Sequence, residues 1–200
     1  LPMAGNVIRR DAGTTAALER SENIIESDYV VPYLAHACME PMNCTARVQG
    51  EEIEIWAGAQ DPQQVITDVA ALTGRPKSSI TFNSCYLGGG FGRRRNTDYI
   101  SEAVTIAEEV QLPVQMIWSR EDDIRHDYYH ANAAVHIKSA VDKKGMPKAW
   151  LQRAAFPTIF STFAPDMTTP VPLEMGLGFS DLPFDIENIE AQAGTAENHV

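Results

Sequence analysis

The chain has 200 residues, of which 44% are hydrophobic and 22% charged, and its formal net charge is −11. This composition is ordinary for a globular protein with one sizeable core, and no apolar run is long enough for a membrane-spanning helix. The acidic balance argues against a nucleic acid or an anionic membrane as partner, because either would repel the chain.

The start of the chain carries few structural signals. It begins at Leu1 rather than Met and lacks the basic and apolar regions of a signal peptide, so we expect it to be part of a longer polypeptide. Residues 1–24 are predicted to be a polar leading segment with at most one helical turn. Residues 25–155 are predicted to form the main domain, and residues 156–200 an irregular covering segment that runs into a further strand.

Strand patterns alternate with two helical patterns along the chain. The predicted strands are 24–31, 45–49, 53–56, 80–86, 113–118, 134–142, 148–155 and 186–193, and the strand at 113–118 is predicted to be buried. Asp61 and Pro62 are typical of a helix start and Gly74 of a helix end, and Asn96 or Thr97 begins a second apolar-periodic helix. Strand–helix–strand units with two hairpins predict an α+β (mixed α/β) fold.

A glycine run is the most informative stretch of the sequence. Residues Gly88–Gly92 read Gly-Gly-Gly-Phe-Gly and lead directly into Arg93, Arg94 and Arg95. Consecutive backbone N–H groups in such a loop can form an anion-binding concavity, and guanidinium groups suit phosphate. Because the run lies between a strand and a helix N-terminus, it is predicted to hold a phosphorylated, anionic cofactor. The alternative is a tight turn followed by a solvated run of charges.

The common glycine motifs are excluded. A dinucleotide fingerprint that starts at Gly88 would need glycine at position 93, which is arginine, and no Gly-Lys-Ser/Thr follows as in a P-loop. The pattern G-x-S-x-G of a nucleophile elbow is also missing. This loop therefore needs another explanation.

The cysteines and histidines do not suggest a metal site. Cys38, Cys44 and Cys85 lack C-x-x-C spacing and are predicted to be buried thiols, and the five histidines include no H-E-x-x-H pattern. No zinc or iron held by protein side chains is therefore predicted.

Four segments, in order along the chain, resemble the molybdopterin-binding large subunits of the xanthine dehydrogenase/aldehyde oxidase family. They are His36–Pro41 (His-Ala-Cys-Met-Glu-Pro), Trp56–Pro62 (W-x-x-x-Q-x-P), the glycine loop with its Arg-Arg ending, and Pro113–Asp123 (P-V-x-x-x-W-x-R-E-D-D). The arginine pair is similar to the branch of isoquinoline 1-oxidoreductase β subunits and related aldehyde or nicotinate dehydrogenases. The resemblance implies a fold of the molybdenum cofactor-binding domain type, with residues 25–155 as a partial molybdopterin-binding domain.

The resemblance also implies roles for individual residues. The implied cofactor-binding residues are Gln60, Gly88, Gly89, Gly90, Phe91, Gly92, Arg93 and Arg94. Gln60 would hydrogen-bond an oxo ligand on molybdenum, Gly89–Gly92 would contact the metal centre and pterin, and Arg93 and Arg94 would lie near the phosphate. Three other interpretations stay open, namely Phe91 as a core residue, Gln60 as a helix cap and Arg95 as a solvated side chain.

Two other groups of residues are given non-catalytic interpretations. His36 and Glu40 are expected to shape their loop or pair with neighbours rather than touch substrate. Residues 121–123, which read Glu-Asp-Asp, are expected to be a solvated turn or an ion-pair cluster.

The chemistry implied by the resemblance is hydroxylation of a C–H bond in an N-heteroaromatic compound or an aldehyde, with oxygen from water and a glutamate as general base. That glutamate lies near the far end of the family's large subunit, so no catalytic residue is assigned here and the 200 residues alone are expected to be inactive. The implied cofactor is molybdopterin, as the cytosine dinucleotide, and the implied partner is a small [2Fe–2S] subunit. Because purine-oxidising relatives have an acidic residue shortly after the loop, Arg95 disfavours xanthine.

Two alternative functions stay open at this point. One is a non-catalytic cofactor-binding or assembly module of the same fold. The other is an enzyme acting on a phosphorylated ligand and unrelated to molybdenum.

Overall fold

Two β-sheets organise the protein, whose computed structural model describes residues 6–196. The chain divides into one unit of residues 35–129 and a second unit of residues 6–34 and 130–196. The strands are β1 (Asn6–Arg10), β2 (Ile24–Val31), β3 (Asn43–Gln49), β4 (Glu52–Ala57), β5 (Ile80–Ser84), β6 (Val114–Ile117), β7 (Ala133–Val141), β8 (Pro147–Phe156) and β9 (Asn188–Thr195). The helices are α1 (Thr14–Arg20), α2 (Pro62–Thr73), α3 (Asp98–Val110), α4 (Arg120–Arg125) and α5 (Pro172–Gly176).

The unit of residues 35–129 is a four-stranded sheet with helices on one face. Its strand order is β5-β4-β3-β6, with β4 and β5 parallel and the other pairs antiparallel. Alternate side chains of β3 and β4 pack against the apolar stripes of α2 and α3. The strand and helix residues of this core are Cys44, Ala46, Val48, Ile53, Ile55, Ala57, Val65, Val69, Ile80, Tyr99, Ile100, Ala103, Val104 and Ala107. Strand β6, predicted to be buried, is an outer strand with Ile117 exposed.

Helix α2 confirms the capping signals in the sequence. The Asp61 side chain accepts a hydrogen bond of 3.1 Å from the N–H of Gln64, and Pro62 opens the helix. Gly74 ends the helix in the left-handed conformation, with φ +70°, and its N–H bonds to Ala70 O. The crossover β4–α2–β5 therefore forms as its sequence predicts.

The next crossover differs from the prediction at two points. Strand β5 ends at Ser84 rather than Tyr86, so Cys85 belongs to the loop and its thiol is exposed, unlike the predicted buried thiol. The segment predicted to be a turn or ion-pair cluster is helix α4, which Ser119 caps by accepting a bond from the N–H of Asp122. Six residues are too short for a periodic signal, so the helix escaped prediction.

The second unit is a five-stranded sheet of order β1-β9-β8-β7-β2. Strands β8 and β9 are parallel, β7 and β8 form the predicted hairpin, and β2 pairs antiparallel with β7 along its whole length. Met175 and Phe179, from the segment between β8 and β9, pack on Ala154, Ala191 and Ala193. These two side chains therefore pack on one face of this sheet.

The leading segment contains more regular structure than its sequence suggests. It holds β1, which pairs with β9, and helix α1, which follows at Thr14. The domain boundaries after residues 24 and 155 stay a prediction. Residue His199 lies outside the described residues.

Candidate functional site

The glycine loop follows the end of β5 and is the centre of the candidate site. Cys85, the first residue after β5, still pairs with strand β4, because its N–H bonds to Ala57 O at 3.0 Å. Gly89 and Gly92 both have φ +102°, a backbone conformation that residues other than glycine rarely adopt. Phe91 between them has φ +53°, which is uncommon for an aromatic residue. The loop is thus a strained turn that only this kind of sequence accommodates.

The loop is fastened to the segment that begins at His36. The N–H of Glu40 bonds to Gly88 O at 3.1 Å, and the N–H of Gly88 bonds to the Glu40 carboxylate at 2.5 Å. The Cys38 thiol lies 3.5 Å from Gly90 O. A Cβ at Gly88 would lie only 2.6 Å from the Glu40 Cβ, so the two segments meet too closely for a side chain there. As expected, Glu40 shapes this loop.

Gln60 supports the loop from the start of the β4–α2 connection. Its side-chain oxygen accepts a 2.9 Å bond from the N–H of Gly92, and its own N–H bonds to Arg94 O at 3.0 Å. A Cβ at Gly90 would lie 2.6 Å from that side-chain oxygen. Because the oxygen faces Gly92, the side-chain NH₂ group is left as a donor, and no acceptor for it lies within the described residues. The prediction that Gln60 caps helix α2 is wrong, since Asp61 does so.

Arg94 is the central clamp of the loop, with a fully buried side chain. Its Nε donates to Gly89 O at 3.0 Å and its Nη1 to Gly58 O at 3.2 Å. Its Nη2 donates to Glu40 O at 2.9 Å and lies 3.3 Å from Pro41 O, and it is also 3.3 Å from the Glu40 carboxylate. The planar guanidinium thus joins three backbone segments at once.

Arg93 is equally buried and holds the far end of the loop. It makes two parallel bonds of 2.8 and 2.7 Å to the Asp98 carboxylate, and its Nε lies 3.1 Å from the Asp127 carboxylate. Its guanidinium carbon lies 5.4 Å from the Trp118 ring centre and 5.2 Å from that of Tyr128, within cation–π range. Asp98 opens helix α3, so this helix start is occupied by a protein ion pair.

Both arginines are therefore directed to protein groups rather than to an open surface. The sequence predicted that they lie near a phosphate, and their burial favours a different task, which is to hold the loop. Arg95 is the exposed member of the three. A charge run does not reveal which of its members is buried, so the sequence alone offered no way to separate them.

His36 and Asp127 complete the support below Arg93. The His36 ring nitrogen Nδ1 lies 3.0 Å from both carboxylate oxygens of Asp127, and the His36 N–H also donates to this carboxylate. Burial alone would raise the pKa of Asp127, but these bonds and the Arg93 charge hold it below its usual value. Asp127 was missed by the sequence analysis, because no motif connects it with His36 or Arg93 along the chain.

Helix α4 joins the same support through Arg120. Its Nη1 bonds to the buried Asp123 carboxylate at 2.5 Å, and its Nη2 donates to Cys38 O at 2.6 Å and to Met39 O at 3.0 Å. Asp123 therefore lies in an ion pair, as one of the two alternatives for residues 121–123 predicted. Its carboxylate is buried, so the other alternative, a solvated turn, does not hold for Asp123. The pair fixes the segment that carries Glu40.

The loop combines unused N–H groups with exposed apolar side chains, although Gly90 itself is buried. Within residues 6–196, no group accepts a hydrogen bond from the N–H of Gly89, Gly90 or Phe91. Phe91 is 67% exposed, so its interpretation as a core residue is wrong, and Met39 and Tyr86 are still more exposed. Three consecutive N–H groups without an acceptor, next to the exposed rings of Phe91 and Tyr86, are a candidate cradle for a flat ligand with anionic or carbonyl oxygens.

The fold and this cradle define a cofactor-binding domain of mixed α/β type. The chain matches the molybdopterin cofactor-binding domain family over residues 3–198, and it belongs to that family. The resemblance seen in the four sequence segments is thereby confirmed.

The chain is also similar to individual proteins and to a solved structure. The chain is 30% identical over 141 residues to the membrane-bound aldehyde dehydrogenase [pyrroloquinoline-quinone] of Gluconacetobacter polyoxogenes, covering 70% of this chain and 18% of that protein. It is 28% identical over 138 residues to isoquinoline 1-oxidoreductase subunit beta of Brevundimonas diminuta, covering 64% and 18%. The aldehyde oxidoreductase structure from Desulfovibrio gigas superposes with a TM-score of 0.68 at 17% identity, covering 96% of this chain and 21% of that one. The chain thus spans about a fifth of the length of these relatives.

Two further observations concern the described residues alone. None of their helices is both long and apolar enough to cross a membrane. Within residues 6–196, no group of three or more His, Cys, Asp or Glu side chains is arranged to hold a metal ion.

Proposed function

We propose that this chain is the cofactor-binding part of a molybdenum hydroxylase large subunit that oxidises an N-heteroaromatic compound or an aldehyde with oxygen from water. The observation that carries the proposal is the set of three free N–H groups on Gly89, Gly90 and Phe91, in a loop held rigid by buried arginines. Such preorganised donors suit the oxygen-rich edge of a pterin.

The residues present fit molybdopterin in two ways. The N–H groups of the loop would hold the pterin and dithiolene end, since substitution of Gly90 would push Gln60 away and close the cradle. The Gln60 side-chain NH₂ would donate a hydrogen bond to an oxo ligand of the metal, because its oxygen already accepts from Gly92. When bound, the cofactor supplies the redox chemistry of C–H hydroxylation, and the protein orients it and tunes it.

Arg93 and Arg94 act through the loop rather than on the cofactor in this proposal. Each guanidinium is buried and makes its hydrogen bonds to protein acceptors, so neither faces an open surface. They keep Gly89–Gly92 in its strained conformation, which sets the direction of the three N–H groups. The negative end of the ligand would thus be bound by the dipoles of the backbone N–H groups.

The finer assignments follow from the resemblance. The cytosine dinucleotide form and a small [2Fe–2S] subunit as electron acceptor are properties of the branch that the Arg-Arg ending resembles. Several relatives carry the word subunit in their names, which supports a multi-subunit assembly. The general-base glutamate would lie outside these 200 residues, so the chain alone is expected to lack activity.

Three other functions are separated by one experiment. The full-length protein is purified with the products of its neighbouring genes, and molybdenum is assayed by mass spectrometry. Cytidine monophosphate is assayed after acid hydrolysis, and pyrroloquinoline quinone, named for one relative, is assayed in parallel. We expect about one molybdenum and one cytidine monophosphate per chain.

Each other outcome has a definite meaning. Quinone without molybdenum would replace the proposed cofactor, and nucleotide without molybdenum would favour an unrelated enzyme acting on a phosphorylated ligand. Neither, in a folded complex, would favour a non-catalytic module. Gly90→Arg should abolish the cofactor content, whereas Gly176→Arg, at a glycine with open space around its Cα, should leave it unchanged.

A further inference from the structure

The outer edge of the five-stranded sheet is unusual for a globular protein. Strand β2 is the last strand of that sheet and pairs with β7 from Ile24 opposite Ala140 to Val31 opposite Ala133. No other strand of residues 6–196 lies on its second side. An eight-residue strand of this kind presents a row of N–H and C=O groups that another extended chain can bind.

The edge lacks the features that normally prevent such binding. Proteins protect edge strands with lysine, proline, bulges or short length, and β2 is a regular strand with neither lysine nor proline among its residues. Five of its eight residues are large, apolar and exposed, namely Ile24, Ile25, Tyr29, Val30 and Val31. The exposed fraction reaches 79% at Val30.

One face of this edge borders an apolar groove. The groove has a volume of about 260 Å³ and is lined by side chains that include Ile25, Tyr29, Ile137, Val141, Pro147 and Trp150. Ile25 and Tyr29 lie on the same face of β2, since they alternate with Glu26 and Asp28. An added strand could therefore place every second side chain at the edge of this groove.

The other face of the edge is acidic. The Asp28 carboxylate lies 2.9 Å from His136 Nδ1, and the Glu26 carboxylate lies 3.4 Å from His136 Nε2 and 3.2 Å from Lys138 Nζ. Two carboxylates thus face one ammonium group and a histidine. Both carboxylates nevertheless remain substantially exposed, at 64% for Asp28 and 49% for Glu26. A cationic side chain on a neighbouring strand would form ion pairs with these two carboxylates.

We propose that β2 binds an extended segment of a partner polypeptide in which apolar and basic residues alternate. The partner's apolar side chains would lie on the Ile25–Tyr29 face, and its lysines or arginines would lie opposite Glu26 and Asp28. Backbone hydrogen bonds to the free edge would supply affinity, and the two faces would set the register.

A second copy of this chain fits the edge poorly. Two β2 strands paired antiparallel with a continuous apolar face overlap most in the registers that place Glu26 opposite Asp28 or Asp28 opposite Asp28. Each of these registers brings carboxylates face to face, which destabilises a strand pair. The net charge of −11 adds a general repulsion between copies.

The test uses the full-length protein and a fluorescent peptide of alternating valine and lysine. We expect saturable binding, with protection of the β2 amides from hydrogen exchange. Two further peptides carry backbone N-methyl groups on alternate residues, one on the odd and the other on the even positions. Because only one set of N–H groups can face β2, one methylated peptide should lose binding and the other should keep it.

Charge variants complete the test. The double variant Glu26→Lys, Asp28→Lys should weaken binding at least about tenfold, since two attractive pairs become repulsive. The control Glu51→Lys, Glu109→Lys makes the same change in net charge in the other unit and should bind like the unmodified chain. Equal weakening by both double variants, equal binding of both methylated peptides, or no binding would overturn the proposal. So would concentration-dependent dimers in sedimentation that Glu26→Lys alters.

Discussion

Glu40 and Gly88 bind each other in both directions, backbone to backbone at 3.1 Å and backbone to carboxylate at 2.5 Å. Burial alone would raise the pKa of Glu40, but bonds from Asn43 and Gly88 and the charge of Arg94 keep it below its usual value. This reciprocal pair is the joint at which the glycine loop is attached to the segment around Cys38. The predictions below test how much of the site depends on such joints.

Replacement of Arg94 should unfold the site even when the charge is kept. Arg94→Lys retains the cation but loses the fork that reaches Gly89, Gly58 and Glu40 together, so we expect a loss of about 3–5 kcal/mol of unfolding free energy. Urea denaturation measures it. Arg95→Lys, at the exposed neighbour, is the matched control and should change stability by less than about 0.5 kcal/mol. Equal effects would contradict the clamp role of Arg94.

Gly90→Ala should reduce cofactor content more than stability. The new methyl group would lie 2.6 Å from the Gln60 side-chain oxygen, which must then leave Gly92. We expect a loss of about 1–2 kcal/mol in stability and a loss of most of the molybdenum in the purified full-length protein. Gly176→Ala has open space and should change neither quantity. Retention of full molybdenum content by Gly90→Ala would argue against the close approach.

The bond between His36 and Asp127 should give a pH-dependent stability. Because the folded pKa of Asp127 lies below its usual value of about 3.9, its contribution is fully present above that pH and is lost as pH falls through the folded pKa. Asp127→Asn should therefore cost about 2 kcal/mol at pH 7, and this difference should shrink progressively below about pH 4. Denaturation of both proteins between pH 7 and pH 3 measures it. A difference that is constant with pH would show that the carboxylate charge is unimportant.

Phe91 should display a conflict between stability and function. Its φ of +53° disfavours an aromatic side chain, so Phe91→Gly should stabilise the chain by about 0.5–1 kcal/mol. Gln111, at the end of α3, has the same φ, and Gln111→Gly should give a similar gain in melting temperature. Only Phe91→Gly should lower the cofactor content of the full-length protein. A loss of stability in Phe91→Gly would mean that the exposed ring makes a structural contact.

The three thiols should react very differently with iodoacetamide. Cys85 is exposed, whereas Cys38 and Cys44 are buried, and burial raises the pKa of Cys44 to about 12. In the folded chain at pH 8 we expect alkylation at Cys85 alone, and at all three positions in urea. Mass spectrometry of tryptic peptides measures it. Rapid native labelling of Cys38 would indicate that the segment under Gly90 opens readily.

Sequence patterns predicted the fold where local physics decides it. Asp61, Pro62 and Gly74 carry their own capping chemistry, so α2 formed within its predicted limits. The hairpin of β3 and β4 is also determined locally, since the alternation of apolar and polar residues fixes which face of each strand is buried. Helix α4 and the exposure of Cys85 escaped prediction because tertiary contacts, rather than local spacing, determine them.

The candidate site was predictable in its position and not in its construction. The motif located Gln60 and Gly88–Gly92, which the structure brings together through the Gln60–Gly92 bond. The burial of Arg93 and Arg94 depends on acceptors that come from distant segments, such as Asp127. An arginine run in a sequence predicts exposed charges, because the sequence does not show which carbonyl groups from other segments will surround the guanidinium groups.

The pairing of both arginines with carboxylates also affects how ligand binding should depend on ionic strength. Arg93 faces Asp98 and Asp127, and Arg94 faces Glu40, so the two cations are matched by three carboxylates around the loop. In the proposed function, ligand recognition relies on short-range dipoles of the peptide N–H groups, which dissolved salt screens far less than it screens exposed charges. The loop should therefore retain a correctly shaped ligand in concentrated salt and gain little affinity for an anion merely because it is charged.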